Sequence, residues 1–112
     1  HAKVIVMAIP APIQVVDRDQ LGFLRPSVDW DTDHLDMDQP QRMTEEVAKE
    51  AGWEFVDLRP ALRAGKQSQP YQSHNLHFTE QGHVITADTM AELLAPICDK
   101  SCNRIGHNSV PD

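Results

Sequence analysis

Residues 71–94, YQSHNLHFTEQGHVITADTMAELL, decide how this chain is read. His74, His77 and His83 fall within ten positions of a polar loop that runs into an amphipathic helix. The Thr79 hydroxyl can cap the helix start, and Glu80 suits the positive first turn. Val84, Ala87, Ala91 and Leu94 recur at steps of three and four, which predicts the packed face. Gly82 lacks a side chain, so the first turn can approach a neighbouring backbone closely. His77 then stands two residues before the cap, on a loop held by a docked helix, where a rigid scaffold presents functional side chains.

Working upstream, residues 65–73 are a polar loop and residues 58–64 a short helical turn, with Asp57 placed to cap it. Residues 53–58, WEFVDL, read as a strand. Residues 39–51 read as a helix with Asp38 as cap, Gln41 at the capping-box spacing and Pro40 tolerated in the first turn. Met43, Val47, Ala48 and Ala51 form its predicted buried stripe, and Gly52 its left-handed stop. Residues 3–9, KVIVMAI, lack alternation and suit a strand of a parallel sheet buried on both faces. Pro10 and Pro12 end it. Strand, helix, strand makes one crossover unit, so the fold class is α/β. Ligands gather at the carboxyl ends of such strands, which marks the segment after Ile9 as a candidate site loop.

Residues 13–38 are irregular and acidic, and are expected to cover part of the site. Asp29, Asp31 and Asp33 alternate as in a calcium loop, but His34 and Pro40 replace the turn glycine and the bidentate glutamate, so a solvated loop is preferred. Trp30 is read as a buried anchor, with a sugar-stacking surface as the alternative. The organised unit is expected over 1–97, with an irregular tail over 98–112.

The 112 residues suffice for one small domain. A formal charge of −7 argues against nucleic acid and anionic membrane as partners. No apolar run approaches a bilayer span. Cys98 and Cys102 would close a small disulfide loop in an exported protein and stay reduced in the cytosol; a periplasmic or extracellular address is slightly favoured. They lack the second pair of a zinc signature.

The block His77-Phe78-Thr79-Glu80-Gln81-Gly82-His83 resembles the last motif of the SGNH, or GDSL-type, hydrolases. Three further pieces follow that family's order: VIVMAIPAP (4–12) like its strand and proline-rich loop, TEEVAKEAGWEFVDL (44–58) like its helix, glycine, strand and Asp-Leu, and the helix after Thr79 like its closing helix. The likeness spans roughly residues 3–95. It implies the C-terminal half of a three-layer α/β/α, flavodoxin-like domain with a parallel sheet. It also implies a serine hydrolase of esters, acetylated carbohydrate among the substrates, with His77 as general base and no cofactor. A partner chain or N-terminal half would then supply the nucleophile.

Two departures stand out. The family's acidic member would fall at position 74 or 75, where this chain has His74 and Asn75. No Gly-Asp-Ser motif is present, and none of Ser27, Ser68, Ser73, Ser101 and Ser109 follows a Gly-Asp pair. Asn75 can accept the imidazole N–H through its side-chain oxygen but brings no charge, His74 can accept only while neutral, and a backbone carbonyl is a third choice. Exchanging Asp for Asn in a triad costs up to about 10⁴ in rate.

Two readings compete with the hydrolase. One is a non-catalytic binding or assembly module. The other is a metal site built from His74, His77 and His83, although their spacing contains no i, i+4 helical pair and His83 is expected to face away from the loop. His1 chelates copper only as a processed N-terminus. His34 and His107 have no constellation around them.

Overall fold

In the computed structural model the described residues are 2–17, 20–21 and 36–105, with backbone alone for 99–105. His1, Ser27, Trp30, the Asp29–Asp33 alternation, His34, His107 and Ser109 lie outside them. Strand β1 (Ile5–Ala8) is followed by a 3-10 turn over Pro12–Gln14, then helix α1 (Gln39–Glu50) and strand β2 (Glu54–Asp57). Helix α2 (Arg59–Ala64), a second 3-10 turn over Lys66–Ser68 and the long helix α3 (Glu80–Ile105) complete the order.

The two strands pair in parallel, with Met7 opposite Val56 and Ala8 opposite Asp57. The chain is therefore α/β, with α1 on the crossover between parallel strands. Ile5 and Met7, alternate residues on one face, pack with Val56 against a core of Val15, Val16, Leu21, Leu58, Leu62 and Tyr71. All four residues of β1 are only half-buried, short of the two-sided burial expected, because β2 is their one sheet neighbour among the described residues.

Helix α1 ends as expected, with Gly52 at a φ of +71° and the Trp53 N–H donating to the Ala48 carbonyl at 2.8 Å. Its start and its packed face differ from expectation. The Asp38 side chain caps nothing and instead pairs with Arg59. Gln41 does not reach back to the helix start. It is buried and exchanges amide hydrogen bonds with buried Gln14, at 2.8 and 3.3 Å. Ala48 is buried, while Ala51 and the rest of the predicted stripe are exposed, Met43 at 56% and Val47 at 59%. A satisfied amide pair has replaced the apolar contact that periodicity alone implies.

The cap position of α2 falls on Leu58 rather than Asp57, and Asp57, one residue earlier, accepts the Arg59 N–H at 2.9 Å. It also accepts from the Arg59 guanidinium at 2.7 Å, and Asp38 pairs with the same guanidinium, so one arginine joins the starts of α1 and α2.

Helix α3 runs past the limit expected of it, through Pro96 to Ile105, so the segment 98–105 is helical. Pro96 removes one N–H donor at an exposed position, and no glycine follows Gly82 before Gly106 to end the helix. Cys98 lies on this helix as a free, exposed thiol. No helix among the described residues is long and apolar enough to cross a membrane.

The face of α3 that packs is rotated from the predicted one. Ile85, Met90 and Leu93 join the core, whereas Val84, Ala87 and Ala91 are exposed and Leu94 is half-buried. Thr86 and Thr89 disguise the true face. Their hydroxyls donate to the carbonyls of Gly82 and Ile85, at 2.9 and 2.8 Å, which lets polar residues sit against the core.

The Arg59 guanidinium, followed by the Arg59 backbone N–H, holds the Asp57 carboxyl below its ordinary 3.8 despite partial burial. A depressed folded value stabilises the fold fully above 3.8, and that contribution is lost as pH falls through the folded value. Asp57→Asn should therefore lower the urea midpoint at neutral pH. Its difference from the parent protein should shrink below pH 3.8. A difference that stays constant with pH would show that the ion pair contributes no linkage.

Candidate functional site

The site begins where the chain leaves α2. Gln69 takes a left-handed conformation, with φ 53° and ψ 68°, and turns the chain into buried Pro70 and Tyr71. Tyr71 and Phe78 form an antiparallel bridge, with ring centroids 4.9 Å apart, and close a six-residue loop over 72–77. The Gln72 N–H donates to the His77 carbonyl at 3.0 Å, and the Thr79 N–H to the Pro70 carbonyl at 3.0 Å. The Tyr71 hydroxyl donates to the Pro10 carbonyl at 2.6 Å, buried. That bond fastens the loop to the segment after β1, the place expected from strand polarity. Burial pushes the phenol well above its ordinary 10.0, so it stays a donor throughout the accessible pH range.

The entry to α3 holds the other side. Thr79 Oγ1 accepts the Gly82 N–H at 3.2 Å and donates to the Gln69 carbonyl at 2.7 Å, so the predicted cap is present and carries a second bond. A Cβ on Gly82 would stand 2.1 Å from the Pro70 carbonyl oxygen. The close approach inferred from this glycine is real, and its neighbour is the backbone at the loop's origin.

Within this frame the three histidines separate. His77 is exposed and lines an open cavity of about 200 Å³ with Ile9, Leu76, Phe78 and His83. His83 does not face away from the loop; its ring packs edge-on against Phe78 at 5.6 Å. Helical side chains lean toward the N-terminus, which carries this one back over the loop. His74 lines a different cavity, of about 560 Å³. No group of three metal-ligating side chains comes together among the described residues, so the His74–His77–His83 metal reading finds no geometry there.

Asn75 is committed elsewhere. Its Oδ1 accepts the His77 backbone N–H at 2.8 Å, and its Nδ2 donates to Gln72 Oε1 at 2.8 Å. It fixes the turn that carries His77 without bonding the ring. Neither Asn75 nor His74 hydrogen-bonds the His77 ring: the Asn75 oxygen accepts the His77 backbone N–H, and His74 lines the other cavity. The Ser68 hydroxyl donates to the Gly65 carbonyl at 2.7 Å, and Ser73 lines the His74 cavity, so neither lines the cavity of His77.

What the cavity offers is an accessible imidazole against apolar walls, able to take and return a proton beside a small apolar group. Tyr71 and Gln14 escaped sequence reading. The one available signal was a pair of aromatics, Tyr71 and Phe78, flanking a short polar loop. No protein-family model matches the chain, and no curated protein and no solved structure matches it.

The Gly82 contact is testable by adding one methyl group. Gly82→Ala places that group inside the van der Waals limit of a backbone oxygen that cannot rotate away. The cost should be about 2–3 kcal/mol in urea unfolding, larger than the helix-propensity gain of at most about 1 kcal/mol. A variant as stable as the parent would mean that α3 docks without this contact.

Proposed function

We propose that this chain is the histidine-bearing part of an SGNH-type ester hydrolase, with His77 as the general base and the nucleophilic serine supplied by an N-terminal half or partner chain. The observation that carries the reading is the placement of His77. It opens the HFTEQGH block, on a loop pinned to α3 by the Thr79 cap and to the segment after β1 by Tyr71. On this reading the full domain is a three-layer α/β/α sandwich, and the second edge of β1 takes a further strand. Ile9 and Leu76, 60% and 66% exposed, then border the acyl group of an ester.

Within a triad the imidazole takes the serine proton as the oxygen attacks the carbonyl, and returns it to the leaving alcohol. An orienting carboxylate would come from outside the described residues. In the natural protein carrying a Gly-Asp-Ser segment, His77→Ala should lower p-nitrophenyl acetate hydrolysis by about 10⁴-fold or more. Unchanged turnover would remove His77 from the mechanism. The 112 residues alone should show no hydrolysis sensitive to a serine-directed phosphonate, since no serine follows a Gly-Asp pair and none lines the His77 cavity among the described residues.

A second reading, a non-catalytic binding or assembly module, is favoured by one observation. The His77 ring accepts or donates no hydrogen bond among the described residues, and the nearby amide of Asn75 is spent on the His77 backbone N–H and the Gln72 side chain. Full retention of the natural protein's biological role in the His77→Ala variant, with no esterase activity in the parent, would support it.

A further inference from the structure

Of the three clustered histidines, only His77 and His83 line one space, the open cavity of about 200 Å³. The other residues around it, Ile9, Leu76 and Phe78, are apolar. Both histidines are exposed, and neither ring takes part in a hydrogen bond or ion pair among the described residues. We infer that these two imidazoles form a regulatory site for a divalent transition ion such as zinc, bound across His77 and His83 without His74.

Three observations carry the inference. The first is the ligand chemistry. Neutral imidazole is the commonest protein ligand of zinc, copper and nickel, whereas calcium and magnesium take oxygen. No carboxylate lines the cavity to favour a hard cation, and no lysine or arginine lines it to repel a divalent one, among the described residues.

The second is how the two histidines are held. The His83 N–H donates to the Thr79 carbonyl at 3.0 Å, and its ring packs edge-on against Phe78. The His77 backbone is fixed at both ends: its N–H donates to Asn75 Oδ1 at 2.8 Å, and its carbonyl accepts the Gln72 N–H at 3.0 Å. The Thr79 cap joins loop and helix between them. Once one ring holds an ion, the other meets it at a high effective concentration, so the pair fills at a lower metal concentration than a lone imidazole.

The third is the number of ligands. Asn75 is spent on the His77 backbone and on Gln72, and His74 lines the other cavity, so the described residues offer two ligands and no third. Structural zinc sites use four protein ligands and catalytic ones three. Two leave at least two tetrahedral positions to water, which suits reversible occupation rather than a resident ion.

The regulatory consequence rests on the hydrolase reading; the binding does not. On that reading the ring nitrogen of His77 turned to the substrate takes the serine proton, and an ion held there removes its lone pair from the reaction.

Zinc chloride titrated into the chain, followed through the ring NMR signals of each histidine and reversed by EDTA, tests the binding. His77 and His83 should respond together and saturate at a zinc concentration at least about tenfold below that which shifts His74, the lone-imidazole reference. Magnesium should shift neither. His83→Ala should raise the midpoint at His77 to that of His74. His83→Phe should do the same while keeping a ring against Phe78, so the test survives if the alanine variant fails to fold. In the natural protein carrying a Gly-Asp-Ser segment, zinc should inhibit p-nitrophenyl acetate hydrolysis at the same midpoint. Relative to its own zinc-free rate, His83→Phe should be at least about tenfold less sensitive.

Equal midpoints for His74, His77 and His83 would mean an adventitious ion only and would overturn the inference. So would an unchanged zinc response of His77 in the His83→Phe variant. Paired zinc binding together with an esterase indifferent to His77→Ala would overturn the hydrolase reading alone. An esterase that needs His77 but ignores zinc at the NMR midpoint would overturn the regulatory role.

Discussion

The structure depends on the contact between Gly82 and the carbonyl of Pro70. The Pro70 oxygen already accepts the Thr79 N–H, and the first turn of α3 lies against it with no room for a methyl group. That contact sets how α3 is rotated about its axis, and hence which side chains reach the core. Gly65 repeats the arrangement below, where an added Cβ would stand 2.5 Å from Ile85 Cδ1. Two glycines thus let α3 lie close to the chain leaving α2, and the loop over 72–77 must project from the space between them. The position of His77 follows from backbone packing rather than from any interaction of its own ring.

The second constraint is polar. Gln14 serves as a hub: its Oε1 accepts the Ala11 N–H at 2.8 Å, its Nε2 donates to the Met37 carbonyl, and its amide pairs with Gln41. Its own carbonyl accepts from Arg63 Nε at 2.8 Å. One residue therefore ties the segment after β1 to the start of α1 and to α2. Arg59, with Asp57 and Asp38, makes a parallel tie on the surface. Removing one partner from such a network leaves buried polar atoms unpaired, which costs more than each bond contributes while intact.

These two constraints explain what was legible in the sequence. Features fixed by local chemistry could be read directly: the Gly52 stop, the Thr79 cap and the need for a small residue at position 82. The α/β crossover followed from strand and helix lengths. The faces of α1 and α3 could not be read, because periodicity gives a repeat but not its phase. In α3 the phase is set by Gly82, and Thr86 and Thr89 hide it by bonding back to their own helix. In α1 the packed position is Gln41, whose burial makes sense only with Gln14, 27 residues away. The separation of His74 from His77 was equally invisible. It depends on the Tyr71–Phe78 bridge, which closes the loop so that the two histidines line different cavities.

The misread stripe of α1 bears on the functional reading. Met43 and Val47 have the spacing of a packed helix face, yet both are more than half exposed, as are Ile9 and Leu76 near the other helix. Single exposed apolar residues are ordinary, but a patterned stripe is less so. The parallel pairing of the two strands among the described residues adds to this, since parallel sheets occur almost only with both faces covered. Within the proposed hydrolase, a further strand along β1 and a helix against Met43 and Val47 would bury these groups together. The same addition would bring a nucleophile toward the cavity of His77, because the carboxyl end of a strand beside β1 lies next to Ile9. On that reading, one added element would account for both the exposed stripe and the nucleophile.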